Sequence, residues 1–207
     1  MPTKLLLIGS GGHAKVVVDA VKVSLPQTEI ILVDENLDVV GQKLFAEISI
    51  EPFESWLICT QKIHISIGDN EARQRLFVQA EEAGKSLITV IHPSTSVALG
   101  VHVGSGCFIG AHAIISSDTT IGQGCIVNHA AVIDHDCKIG SFSHIAPNAT
   151  LGGGVEVGRK CLIGSGAIIL PGVKIGDNVI VGAGSVVTKN IVENKTVVGV
   201  PARCTNK

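Results

Sequence analysis

The chain has 207 residues, a formal net charge of −2, 16% charged residues, and five Phe and one Trp as its only aromatics. That charge excludes a general nucleic-acid binder, which needs a basic footprint. A hydrophobic content of 45% excludes disorder, and 24 glycines that do not recur every third position exclude collagen.

No apolar run approaches the ~20 residues of a membrane span. The opening Leu5-Leu6-Leu7-Ile8 is too short for a secretory signal and reads as a buried first strand over 4–8. The expectation is a cytoplasmic protein with no membrane partner, whose six cysteines stay free. Gly9-Ser10-Gly11-Gly12-His13-Ala14 follows as a turn, and helix-like spacing runs over 13–23. Strands are predicted over 29–33, ending at Asp34-Glu35, and over 63–67, running into Gly68-Asp69-Asn70. A helix is predicted over 70–83, with Asn70 as its cap and Gly84 as its stop, then a short strand over 87–91. Strand–helix alternation over residues 1–90 predicts a small parallel α/β unit, half of a Rossmann-like fold. Gly9-x-Gly11-x-x-Ala14 with Asp34 at a strand end fits a dinucleotide fingerprint. Ninety residues hold only one mononucleotide-binding half, so a nucleotide or nucleotide-sugar is favoured over NAD; a Gly-rich turn without a ligand is the alternative.

From Ile91 the pattern changes to a strict step of six. Ile91, Val97, Val103, Ile109, Ile115, Ile121 and so on to Val187 are all aliphatic, with no break in register. A helix repeats its apolar face at 3.6 residues and has no reason to keep this period. The residue after the aliphatic is Gly in nine of the seventeen repeats, including Gly104, Gly140 and Gly176. Positive φ at a recurrent corner is the expected cause. Four places after the aliphatic the residue is small or β-branched, as a narrow interior demands, and Cys107, Cys125, Cys137 and Cys161 all fall there. Three hexads make one coil of a three-walled all-β solenoid over 91–192, followed by a tail over 193–207. No C-x-x-C spacing exists, so no metal is expected.

Asn128-His129, Asp134-His135-Asp136 and His144 crowd one stretch of coil. Asp134 occupies the corner and reads as structural. His135 lies one place beyond it, where a side chain points outward, with Asp136 next to it. From the residues alone His135 is a general base oriented by a carboxylate, or a solvated surface histidine. His129 and His135 stand on adjacent faces and do not easily chelate one ion within a chain, although two chains meeting could supply three ligands.

The unbroken hexads resemble the hexapeptide-repeat acyltransferases, trimers whose repeat winds as a left-handed parallel β-helix. Gly9-Ser10-Gly11-Gly12-His13, Ile67-Gly68-Asp69-Asn70-Glu71-Ala72-Arg73, Ile133-Asp134-His135-Asp136, Phe142-Ser143-His144 and Val198-Gly199-Val200-Pro201-Ala202-Arg203 together resemble the bacterial sugar acetyltransferases related to sialic acid O-acetyltransferase. That branch includes N-acetyltransferases of nucleotide-linked amino sugars. The resemblance implies acetyl-CoA as co-substrate and a homotrimer with active sites between adjacent subunits. It makes His135 the general base with Asp136 beside it, and places Asn128 close to the reacting groups. It puts His144, Ser165 and Ala183 on acetyl-CoA, and Gly11, Gly12, His13, Asp34, Glu35 and Gly68 on the nucleotide part of the donor sugar. The implied reaction is direct acetyl transfer to the amine of a UDP-linked deoxyamino sugar. O-acetylation of sialic acid or another cell-surface sugar is the alternative. A zinc hydratase and a non-catalytic trimeric scaffold are the more distant rivals.

Overall fold

The computed structural model describes residues 3–45, 47–56 and 61–205. Its first part is a parallel α/β unit. Strands β1 (Lys4–Ile8), β2 (Glu29–Asp34), β3 (Lys43–Leu44), β4 (Ile48–Pro52), β5 (Lys62–Ile65) and β6 (Ser86–Leu87) form one sheet in the order β3-β4-β2-β1-β5-β6. All neighbours are parallel except β3 and β4. Helix α1 (Gly12–Ser24) buries Ala14, Val17, Val18, Ala20 and Val21, and α2 (Asn70–Glu82) buries Leu76, Phe77 and Ala80. These are the i, i+3, i+4 stripes of amphipathic helices. The α2 cap is Asp69, whose carboxylate accepts from the Ala72 amide at 2.8 Å, one residue earlier than the sequence pattern indicates. Gly84 does end the helix, at φ +69°. The strand expected over 87–91 is two pieces: β6 stays in the α/β sheet, while Val90–Ile91 opens the solenoid.

From Val90 the chain winds as a left-handed parallel β-helix with three walls. Wall one stacks Val90–Ile91, Phe108–Ile109, Ile126–Val127, His144–Ile145, Leu162–Ile163 and Ile180–Val181. Wall two includes Ile114–Ile115, Val132–Ile133 and Thr150–Leu151, and wall three Thr120–Ile121, Lys138–Ile139 and Glu156–Val157. The second residue of each pair is the hexad aliphatic. From Ile109 to Val187 every one is buried, in one continuous core. Each such side chain removes roughly 1.5–3 kcal/mol of apolar exposure, so the coils hold each other by neighbour contacts.

The glycines after the aliphatics have a different cause from the expected positive φ. Their backbones are not left-handed; they are where successive coils touch. A Cβ on Gly140 would stand 2.5 Å from the Gly158 carbonyl carbon, and one on Gly164 2.6 Å from the Ala183 nitrogen. Positive φ falls two places later, at the second turn residue, and is held by His112, Asp118, Asp136, Phe142, Asn148 and Lys160 as well as by glycines. The small residue four places after the aliphatic is more than filler. Its hydroxyl or thiol donates to a corner carbonyl of the next coil: Thr119 to Asp134 at 2.9 Å, Ser143 to Gly158 at 2.7 Å, Cys107 to Gly122 at 3.1 Å and Cys161 to Gly176 at 3.0 Å. Buried corner carbonyls need such partners, and Cys, Ser and Thr are small enough to supply them. Burial pushes the Cys161 thiol up to about 11, so it is an inert donor. Cys59 lies outside the described residues.

The α/β unit sits on wall one. The outward side chains of its first coils, Val90, Phe108 and Ile126, are buried with Leu5, Val17 and Val18 in one cluster. On α2, Phe77 meets Phe142 edge-on at 5.1 Å. A left-handed φ of 61° costs Phe142 about 1–2 kcal/mol, which burial of its ring offsets. After Thr196–Val198 joins wall one, the chain turns back as the antiparallel pair Arg203–Cys204. Among the described residues no helix is long and apolar enough to cross a membrane.

Candidate active site

Where the α/β unit meets wall one, three imidazoles gather. His13, in the first turn of α1, lies edge-on to Phe108 at 5.0 Å and 6.4 Å from the His144 ring. His64, on β5, lies 6.4 Å from the same Phe108 and is held by Nδ1 against the Ile88 carbonyl at 2.9 Å. His144 points outward from wall one, where Asn128 Nδ2 donates to its Nε2 at 3.2 Å and the Gly68 backbone hydrogen-bonds its ring. Burial, then His64, His144 and the Arg73 guanidinium, lowers His13 to about 3. Burial lowers His64 and His144 to about 4, with Arg73 adding to it. All three are neutral at pH 7. The Nε2 atoms of His13 and His64 are buried without a hydrogen-bond partner among the described residues. Below this cluster a cleft of about 440 Å³ opens, lined by Gly68, Asp69, Asn70, His144, Lys160 and Leu162 among others.

The Gly-rich turn leads into α1, whose His13 lies beside Gly68. Gly9 needs its glycine: φ is +102°, and a Cβ would collide with Ile67. Gly11 and Gly12 have nothing within 4 Å of a Cβ, so no protein contact demands glycine there. The space over the start of α1 is open, and its first turn carries no acidic side chain. Asp34 is committed to the turn itself. Its Oδ2 accepts from the Ser10 amide at 2.7 Å and hydroxyl at 2.6 Å, and its Oδ1 from the Asn36 amide at 2.9 Å. These hydrogen bonds outweigh partial burial and hold the carboxyl below its ordinary value. Glu35 makes a two-pronged pair with Arg75 on α2 at 2.9 and 2.6 Å, which lowers its carboxyl too.

The second group of candidates is elsewhere. His135 and Asp136 occupy the corner between walls two and three, whereas Asn128 begins the corner between walls one and two. The Asp134 carboxylate accepts from the His135 amide at 2.8 Å, the backbone role expected of it. His135 Nδ1 lies 2.7 Å from Asp136 Oδ2, with the two side chains 61% and 65% exposed. The hydrogen bond to Asp136, then the charge of Asp134, raises the imidazole above its ordinary value. The ring lies over Gly153, where a Cβ would be 2.7 Å from Nε2. Glycine there leaves room for the imidazole.

One chain therefore brings together Gly11, Gly12, His13, Gly68, Asn128 and His144, with Asp34 and Glu35 at the rim. Ser165 and Ala183 lie on the same edge of the prism as the Asn128 corner, two and three coils further on, joined by the Gly184 amide to the Ser165 carbonyl at 2.9 Å. Their own amides have no acceptor among the described residues. His135 and Asp136 are not joined to this group. A surface groove of about 880 Å³ along wall three contains none of the candidates. Sequence reasoning assigned no role to Phe108, His64 or Arg73. The run of apolar outward positions at Val90, Phe108 and Ile126 is the available sign that wall one is covered there.

Three family profiles match the chain. The PglD N-terminal domain matches residues 4–80, the bacterial transferase hexapeptide (six repeats) residues 118–153 and 154–189, and the hexapeptide repeat of succinyl-transferase residues 100–134. No curated protein sequence matches significantly. Among solved structures, a histidine variant of perosamine N-acetyltransferase from Caulobacter crescentus, in complex with CoA and GDP-perosamine, is 35% identical with a TM-score of 0.92, over 99% of this chain and 97% of that one. The acetyltransferase domain of PglB from Neisseria gonorrhoeae, in complex with acetyl coenzyme A, is 31% identical with a TM-score of 0.92, over 99% of this chain and 100% of that one. WeeI from Acinetobacter baumannii is 27% identical with a TM-score of 0.90, over 98% of this chain and 100% of that one. With the wall-one cleft and the His135–Asp136 pair on such a frame, the chain belongs to the hexapeptide-repeat sugar acetyltransferases, enzymes that draw their acetyl group from acetyl-CoA.

Proposed function

We propose that the protein is an N-acetyltransferase acting on the amine of a UDP-linked deoxyamino sugar, at sites completed between adjacent subunits of a homotrimer. The observation that carries this reading is the His135–Asp136 pair: an exposed imidazole oriented by a 2.7 Å contact at Nδ1, with Nε2 free of protein partners among the described residues. It stands on the corner between walls two and three, whereas His144 points out of wall one, so a second chain is needed to bring base and coenzyme together. Acetyl-CoA supplies the thioester carbonyl that the amine attacks. His135 Nε2 accepts the amine proton as the new C–N bond forms, and the proton then passes to the departing coenzyme thiolate. His144 meets the coenzyme beside the thioester, and the unbonded amides of Ser165 and Ala183 line its path. Asn128 is occupied at both ends of its amide, by the His129 amide at 2.9 Å and by His144, so it orients His144. That leaves backbone N–H groups to meet the developing oxyanion. Gly11, Gly12, His13 and Gly68 surround the nucleotide of the acceptor sugar, with Asp34 stiffening the turn over it.

The test offers acetyl-CoA with UDP-, GDP- and dTDP-linked amino sugars and with sialic acid, following coenzyme thiol release and locating the acetyl group by mass spectrometry. N-acetylation of a UDP-amino sugar as the best reaction is expected. Preference for a GDP sugar overturns the nucleotide assignment, and acetylation of a hydroxyl overturns the amine.

A further inference from the structure

Arg73 is 1% exposed, and its guanidinium has no carboxylate partner among the described residues. Its donors go to carbonyl oxygens on both sides of the domain junction. Nε donates to the Gly124 carbonyl at 2.7 Å and Nη2 to the Phe142 carbonyl at 2.8 Å, which are turn residues of successive coils. Nη1 takes the carbonyls of Ile67, Gly68 and Asp69 at 3.0, 2.9 and 3.3 Å, and Nη2 also donates to Asn70 Oδ1 at 2.6 Å. Asn70 in turn donates to the carbonyls of Lys160 and Cys161, one coil further down. The fixed fork of five donors suits such a set, and lysine with one ammonium cannot reproduce it.

Two of these acceptors lead straight into the cleft. Gly68 hydrogen-bonds His144 and lies beside His13, and Phe142 stands two residues before His144 on the same coil. We propose that Arg73 is a positioning residue for acetyl-CoA: its guanidinium sets how the Gly68 loop of the α/β unit meets His144 on wall one. The inference rests on the reading above that His144 touches the coenzyme. Burial lowers Arg73 only to about 10, so it stays charged at pH 7. The titratable groups around the cluster are His13 on α1, His64 on β5, Asp69 before α2, His144, and the thiols of Cys107 and Cys125. An unpaired cation among them opposes protonation of the three imidazoles and leaves His144 as the neutral ring that accepts from Asn128.

The experiment measures acetyl-CoA binding calorimetrically to the intact protein, with imidazole NMR of His144, in Arg73→Gln, Arg73→Lys, Asn70→Ala and His144→Ala. No acceptor sugar is needed. Arg73→Gln is expected to weaken binding by about tenfold or more, Arg73→Lys by less, and Asn70→Ala by about threefold, since bonds to a charged group are worth more than neutral ones. The His144 signals should move in the same order, and its titration should rise in Arg73→Gln but stay low in Arg73→Lys, which keeps the charge. A purely structural rivet would lower the melting temperature and leave the affinity of the folded fraction and the His144 titration unchanged; that result overturns the proposal. If neither Arg73 variant folds, Asn70→Ala decides by the same two readouts. Unchanged binding in His144→Ala overturns the coenzyme placement and this inference together. Weakened binding there, with unchanged binding in the Arg73 and Asn70 variants, overturns this inference alone.

Discussion

Four histidines on this frame are driven in opposite directions. His135 stands in solvent on a corner of the prism, with the carboxylates of Asp136 and Asp134 beside it, and is raised above an ordinary imidazole. His13, His64 and His144 are shut between the α/β unit and wall one, beside the unpaired Arg73, and are lowered to about 3, 4 and 4. The same side chain is poised to hold a proton in one place and is a neutral hydrogen-bonding ring in the other. The cause is which charges the fold delivers to it and how much water it keeps. On the reading proposed above, the base stands where substrate arrives from outside the chain, whereas the neutral rings stand where the α/β unit closes on wall one around a buried cation, Arg73.

Removing the exposed base should have the largest effect. His135→Ala should lower turnover roughly 10³-fold, within the usual span for a general base. The fold should be undisturbed, because the ring makes no core contact. Thiol release with acetyl-CoA and the acceptor found above measures it. A loss under about tenfold would put His135 back among solvated surface histidines and collapse the contrast.

Acidification probes the other side. His64 titrates at about 4 in the folded protein and at the ordinary 6.5 when unfolded. The unfolded chain therefore takes up the proton first, and stability is full above about pH 6.5 and lost as pH falls toward 4, by up to about 3 kcal/mol. His13 and His144 act with the same sign. Carboxylates held below their ordinary values, such as Asp34 and Glu35, lose their contribution only as pH falls through the ordinary carboxylate range, so most of the loss between 6.5 and 4.5 belongs to the histidines. The melting temperature should fall by several degrees between pH 7 and 4.5. His64→Phe should narrow that difference while costing about 1 kcal/mol at pH 7 for the lost bond to Ile88. An acid sensitivity that survives this replacement in full would remove His64 from the buried group.

Much of this was legible from the order of residues, for reasons that differ by region. The hexad declares itself because each wall has two-residue strands with one inward position. The positions of Gly140 and Gly164 were readable as special, but the cause expected for them was wrong. Positive φ and the close approach of a neighbouring backbone both select glycine, and only coordinates separate them. The truly left-handed column was invisible because Phe142, Lys160 and His112 occupy it at a strain the coil offsets. β3 and β4 went unpredicted, since the segment after Asp34 has no clean alternation. The role of Arg73 was hidden because its acceptors are backbone carbonyls 51 and 69 residues away, and a carbonyl has no identity in a sequence. His135 and His144, nine residues apart, looked like one site; wall three, through Lys138–Ile139, lies between them within the chain.

The smallest effect gives the finest discrimination. Asp136 has two reasons to exist: its backbone is left-handed at φ 59°, and its carboxylate orients His135. Alanine would confound them, because a left-handed alanine is strained. Asparagine tolerates that conformation as aspartate does, keeps the shape and removes the charge. Asp136→Asn should therefore fold normally and lower kcat/KM about tenfold on the neutral plateau through a weaker, less well-oriented base. A raised imidazole must lose its proton before it can act, so the acid limb of the wild-type profile lies above the ordinary 6.5. In Asp136→Asn that limb should move to lower pH, though not all the way, because Asp134 still contributes. The two profiles then converge on the acid side, where the variant keeps more of its base unprotonated. A uniform loss at every pH would mean that Asp136 holds the turn and does not tune the base.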